Sequence, residues 1–149
     1  MNDATSAAPV RAAPRLEDFP HRALDIIRLG DLDHQNHVNN AVFATYFETG
    51  RVNFMRDVFG GLRFGDKNFV VARLEINYLR ELHWPGMVDV CTGVERIGTS
   101  SVTYAQAAFH EGVCAASGRT TMVFIDHATR RATPMTDDIL KRLRAQQMR

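Results

Sequence analysis

The sequence predicts an α+β fold in which one long central helix is wrapped by a curved antiparallel sheet of about five strands. Three observations carry that prediction. Phe43, Phe47, Phe54 and Val58 recur at helical spacing, with Val42, Tyr46 and Met55 alongside, which marks a single long helix. After it, four segments of alternating side chains are separated by turn formers, which marks successive strands. One helix with that much apolar surface must pack on one face of the sheet. The 149 residues make one domain's worth of chain and contain no internal repeat.

Each element follows in order. Residues 1–18 are rich in Ala, Pro and Arg and lack the apolar run of about 7–15 residues that a secretory signal needs. They are expected to be a disordered lead-in to a single domain over residues 19–149. His21 to Leu29 reads as a short strand. Gly30 to Asn36 is too rich in turn formers to continue it. Asn39 is an N-cap for a helix over about Asn40 to Phe59, and Gly60-Gly61 stops it. Ala41, Ala44 and Gly50 let that helix lie close to another surface.

Val70 to Arg80 then alternates, with Ala72, Leu74, Ile76 and Tyr78 on one face and Arg73, Glu75 and Asn77 on the other. Trp84-Pro85-Gly86 is a turn, and Val88, Val90, Thr92 and Val94 alternate after it. Gly98-Thr99 turns the chain into Val102 to Phe109, and Glu111-Gly112 is a tight hairpin signal before a long strand over Val113 to Asp126. Strands joined in this way predict an antiparallel meander. Thr136 caps a closing helix to about Gln147, with Pro134 just before it.

Composition excludes several function classes. Lys plus Arg is 18 and Asp plus Glu is 17, a net +1 that lacks the basic surplus of a nucleic-acid binder or a polybasic membrane patch. No apolar run approaches about 18 residues, so no membrane span is expected. Cys91 and Cys114 form no C-x-x-C and no Cys/His cluster, so neither a zinc site nor a disulfide framework is expected, and a reduced cytoplasmic setting fits. Gly-rich phosphate loops are absent, and Ser100 and Ser101 lack a Ser/His/Asp arrangement.

The densest set of functional side chains is Asp31, Asp33, His34, Gln35, Asn36, His37, Asn39 and Asn40, just before the long helix. A helix N-terminus presents unpaired N–H groups and partial positive charge, which suit a developing oxyanion. A carboxylate beside it can act as nucleophile or as base for a water. Asp33 stands seven residues before Asn40, far enough to fold back over the helix start. Asp31 reads as a turn cap and His34 as an exposed loop residue. His37 reads equally well as a hydrogen-bonded structural histidine. Glu48 and Arg51 are three apart and able to pair, with Glu48 structural.

The run Gly30-Asp31-Leu32-Asp33-His34-Gln35-Asn36-His37-Val38-Asn39-Asn40-Ala41, followed by Tyr46-Phe47-Glu48 and Arg51, resembles the signature of hot-dog-fold acyl-CoA thioesterases, in particular the 4-hydroxybenzoyl-CoA thioesterase-like group. The similarity continues through Val71 to Tyr78 and covers about residues 21–130, with D-x-D-x-x-x-H-V-N-N as its most specific part. The resemblance implies hydrolysis of acyl-CoA thioesters with no metal or redox cofactor. It implies that Asp33 is the catalytic carboxylate and that the Asn40 backbone N–H polarises the thioester carbonyl. His37 matches an assisting His of plant acyl-carrier-protein thioesterases, whereas Gln35 stands where their Asn would be. Asn36 replaces a Gly common in relatives, and Asn tolerates the left-handed backbone. Phe43 and Phe47 are the candidate acyl-pocket residues. Arg73, Arg80, Arg96 and Arg119 are candidates to meet CoA phosphates. The resemblance also implies a homodimer or homotetramer with sites at the subunit interface. Rival readings are an acyl-ACP thioesterase, a hydratase or dehydratase on the same fold, and a non-catalytic acyl-CoA-binding module.

Overall fold

The computed structural model describes residues 12–149. Among the described residues, five strands and one short α-helix are arranged around one long helix. They are β1 (His21–Ile27), α1 (Asn40–Phe59), β2 (Lys67–Tyr78), β3 (Gly86–Ile97), β4 (Ser101–His110), β5 (Val113–Asp126) and α2 (Asp137–Ala145). All strand pairings are antiparallel. The sheet order is β1-β3-β4-β5-β2, with the single long helix against one face, and this is the expected hot-dog architecture.

The long helix starts and stops for local reasons. The Asn39 side chain accepts a hydrogen bond from the Ala41 amide, and Gly60 closes the helix at φ 77° with its N–H on the Arg56 carbonyl. Phe43, Tyr46, Phe47, Gly50, Arg51, Phe54 and Met55 are its buried positions, one face at helical spacing. Gly50 permits the closest approach, because a Cβ there would stand 2.7 Å from Val90 Cγ1 and 2.9 Å from Thr92 Oγ1. The first turns of α1 pack with Ile27, Val38, Leu82, Val88 and Val90. Its last turns pack with Tyr104, Phe124 and the inner face of α2.

The expected meander holds only for β3, β4 and β5. Glu111 and Gly112 both take positive φ in a two-residue turn between β4 and β5, as their sequence requires. However, β2 does not pair with β3. It lies beside β5 at the far edge, and residues 79–85 cross from one edge region to the other. Turn formers at Trp84-Pro85-Gly86 mark a change of direction, but they do not determine which strand comes next in the sheet.

Two irregularities shift the alternation. The register of β2 slips between Val71 and Arg73, so Ala72 is left without a partner. The slip lets both Phe69 and Leu74 face the helix, while Ala72 is exposed and not on the core face with Leu74, Ile76 and Tyr78. A matching slip in β3 lies between Val94 and Arg96.

The ordered chain also begins earlier than expected. Leu16–Asp18 forms a short 3-10 helix, and Leu16 and Phe19 cover the outer sheet face over Cys91, Ala107, Phe109 and Cys114. The lead-in expected through Asp18 therefore stops short of these residues, because Leu16 and Phe19 have apolar surface to bury. Its first part, residues 1–11, lies outside the described residues. β1 stops at Ile27, since Leu29–Asp31 turns into a second 3-10 helix. At the other end, α2 spans Asp137–Ala145, with Thr136 as its N-cap accepting from the Ile139 amide.

Both cysteines are free and buried. Burial pushes the Cys91 thiol up to about 12, which removes its thiolate character at neutral pH. Among the described residues, no helix is long and apolar enough to cross a membrane.

Candidate active site

The polar run before α1 folds back on itself. The Asp33 amide donates to the His37 carbonyl at 2.8 Å, and the Asn36 amide donates to the Asp33 carbonyl at 3.1 Å. Asn36 takes φ 60°, the left-handed conformation expected at this position. Asp31 caps the preceding 3-10 turn, its Oδ2 accepting from the Arg28 amide at 2.7 Å and from the Tyr46 hydroxyl at 3.4 Å. The Asn39 amide donates to the Asp31 carbonyl and the Val38 amide to the Leu82 carbonyl. These bonds tie the loop both to itself and to the β2–β3 crossover.

Asp33 is partly exposed at the mouth of this loop. Its Oδ1 accepts from the Gln35 amide at 2.8 Å and from the His37 amide at 3.3 Å. These N–H groups, the Gln35 amide foremost, hold the carboxyl below the usual carboxylate range. Its Oδ2 accepts no hydrogen bond among the described residues, so one carboxylate oxygen is fixed and the other is open.

The helix start has a matching open donor. Asn39 takes the Ala41 amide with its side chain and the Val42 amide with its carbonyl. The Asn40 amide, just before these two, has no acceptor among the described residues. From the sheet side, the Tyr78 hydroxyl donates to the Asn40 carbonyl at 3.0 Å, and the Tyr78 ring meets Phe43 edge-on.

Asp33, Gln35, His37, Val38, Asn40, Phe43, Tyr78, Leu79, Arg80 and Glu81 line one cleft of about 300 Å³. The structure thus brings together four of the five residues singled out from sequence: Asp33, His37, Asn40 and Phe43. Phe47 is not on this wall. It is fully buried among core residues, close over Gly118. A helical stripe marks Phe47 as buried but does not separate a pocket wall from core.

Three neighbours, Tyr78, Leu79 and Glu81, were not legible as site residues. With the basic candidate Arg80 they come from the end of β2 and the crossover after it, and only the β2–β5 pairing carries them to the helix start. Arg80 has no ionic partner among the described residues. Of the other basic candidates, Arg73 pairs with Glu75 at 2.7 Å and Arg119 is bidentate on Glu95. Arg96 lies in a separate cleft of about 600 Å³ near α2, which no motif residue reaches.

Arg51 does not pair with Glu48 on the helix surface. It turns inward and donates to Gln106 Oε1 and Thr120 Oγ1, and burial lowers its pKa. Gln106 in turn donates to the Phe47 carbonyl and to Thr92, and accepts from Thr120. All four hydrogen-bonding positions of the Gln106 amide are therefore filled inside the core.

Residues 27–143 match the family model of the thioesterase-like superfamily. Among solved structures, the chain is similar to the PA5185 protein of Pseudomonas aeruginosa strain PAO1, at 27% identity and TM-score 0.83 over 91% of this chain and 96% of that one. It is similar to a predicted thioesterase from Bacillus stearothermophilus, at 30% identity and TM-score 0.79 over 86% of this chain and 96% of that one. It is also similar to a thioesterase from Thermus thermophilus solved with coenzyme A and zinc, at 32% identity and TM-score 0.74 over 85% of this chain and 98% of that one. No curated protein matches.

Proposed function

The chain belongs to the thioesterase-like superfamily, and from that premise we propose that it hydrolyses acyl-CoA thioesters to the free acid and CoA. The observation that carries this reading is the pairing of an open Asp33 oxygen with an open Asn40 amide in one cleft. The thioester carbonyl docks with its oxygen on the Asn40 N–H, where the helix terminus favours negative charge. Asp33 acts on the carbonyl carbon directly as nucleophile, or removes a proton from a water that attacks it. The tetrahedral oxyanion then collapses, the C–S bond breaks, and the CoA thiolate takes up the proton that Asp33 removed from water. On the nucleophile route, water protonates the thiolate and then hydrolyses the acyl–Asp33 anhydride to the free acid, which restores Asp33.

His37 assists from the rim of the cleft, where its amide closes the loop on Asp33 Oδ1. Phe43 meets the acyl group near the carbonyl. Arg80 supplies positive charge for a CoA phosphate at the cleft edge. The coenzyme A bound in the Thermus thermophilus relative supports CoA as carrier.

A homodimer or homotetramer fits this reading. β1 and β2 are the two edges of the sheet, and β2 exposes Val71, Ala72 and Tyr78 beside an open cleft. Sedimentation equilibrium should give a species of at least two chains, and a stable monomer at assay concentration would contradict that assembly.

The deciding experiment is thiol release across short, long and aromatic acyl-CoAs, with an enoyl-CoA as the control for water addition. Turnover with at least one saturated or aromatic acyl-CoA is expected. Tight acyl-CoA binding with no thiol release would identify a binding module instead, and water addition to the enoyl-CoA a hydratase.

A further inference from the structure

We propose that His37, Glu81 and His83 form a binding site for a divalent transition-metal cation of the zinc class at the rim of the cleft. One ligand atom from each residue lies within 4.8 Å of the other two. His37 Nε2 is 3.2 Å and His83 Nε2 3.8 Å from the same oxygen, Glu81 Oε2. The two imidazole rings meet edge to face with centroids 5.0 Å apart. Tetrahedral zinc with bonds of about 2.0–2.1 Å sets its ligand atoms about 3.3 Å apart. The two nitrogen–oxygen separations bracket that spacing. Glu81 and His83 are exposed, so rotamer changes are available to bring the third pair together.

The backbone explains why these side chains meet. The Val38 amide donates to the Leu82 carbonyl at 2.9 Å. Val38 and Leu82 both point into the core, at 4% and 2% exposure. The neighbours of an inward residue on such a segment project the other way. His37 is therefore turned outward on one segment, and Glu81 and His83 are turned outward on the other. No local spacing in the sequence announces the set, because its members come from two loops far apart in the chain.

The donor chemistry selects the cation. Two imidazoles and one carboxylate are borderline ligands that suit zinc, nickel or copper, whereas magnesium and calcium require mostly oxygen. Three protein ligands leave a fourth position for water. Cys91 and Cys114 are buried and do not compete. A bound cation would cross-link the loop that leads into α1 to the β2–β3 crossover, and so stabilise the folded chain.

The test is calorimetric titration of the untagged, chelator-stripped full chain with zinc chloride, with melting temperature followed in parallel. One zinc per chain and a rise in melting temperature are expected. His83→Gln should weaken zinc binding about tenfold or more and remove the thermal shift. Its melting temperature in chelator should equal that of the wild type, because His83 is exposed. Glu81→Gln should act in the same direction and serves as the independent second variant. No uptake by the wild type at about 0.1 mM zinc, variants that bind as the wild type does, or an equal thermal shift with magnesium would each overturn the site.

Discussion

Tyr78 donates its hydroxyl to the Asn40 carbonyl at 3.0 Å, joining the end of the edge strand β2 to the first residue of the long helix. The bond holds the helix start, whose open amide is the proposed oxyanion donor, against the sheet. Tyr78→Phe keeps the ring contact with Phe43 and removes only this bond. A neutral hydrogen bond is worth about 0.5–1.5 kcal/mol, so kcat should fall about two- to tenfold with KM little changed. Steady-state kinetics on the best substrate of the panel checks this, and unchanged kcat would remove Tyr78 from the site.

Asp33→Asn preserves the amide acceptor for the Gln35 and His37 N–H groups, so the loop should still close. It removes the charge that, in the proposed mechanism, attacks the carbonyl or activates water. Thiol release should drop by at least about a hundredfold with the far-ultraviolet circular dichroism unchanged. A variant that folds and retains near-full turnover would refute the role of Asp33.

The pH profile follows from the same contacts. The Asp33 carboxyl is held below its ordinary value of 3.8 by the Gln35 and His37 amides. A carboxyl lowered in this way loses its charge only as pH falls through the depressed value. Any stability it contributes is likewise present above the unfolded pKa and lost as pH falls through the folded one. The kcat/KM limb due to Asp33 should therefore lie below 3.8. In His37→Gln, activity should stay level from pH 8 down to about 5. An acid limb above about pH 5 in that variant would contradict an ionised Asp33 as the catalyst.

Gly50→Ala tests the helix–sheet fit. Its Cβ would meet Val90 Cγ1 at 2.7 Å, with Thr92 and Gln106 close on either side. Overpacking of this kind costs about 1–3 kcal/mol. Denaturant unfolding should show a lower midpoint with an unchanged slope. A neutral result would mean that the helix has room to shift outward.

The long helix and the motif loop were legible because their signals are local. Asn39, the apolar stripe and Gly60 bound one element, and Asp33, His37, Asn40 and Phe43 lie within a few turns of one another. Pairing of β2 with β5 was not legible, since the partner is set by how the whole sheet closes and not by the turn at Trp84. Consequently Tyr78, Leu79 and Glu81 were hidden as cleft residues, and Arg80 was named only as one of several basic candidates. The slip at Ala72 broke a clean-looking alternation. The burial of Arg51 was not legible because its partners Gln106 and Thr120 lie on distant strands, and their hydrogen bonds offset the cost of burying it.

That filled amide at Gln106 bears on more than stability. It grips the Phe47 carbonyl in mid-helix while holding Thr92 and Thr120 on strands at either side. Sliding the helix by a single residue along its axis would strand several polar atoms in a dry interior at once. The arrangement therefore works as a detent with one stop. It sets how far the tip of the helix protrudes toward the loop that carries Asp33, a position that greasy contacts alone would leave adjustable.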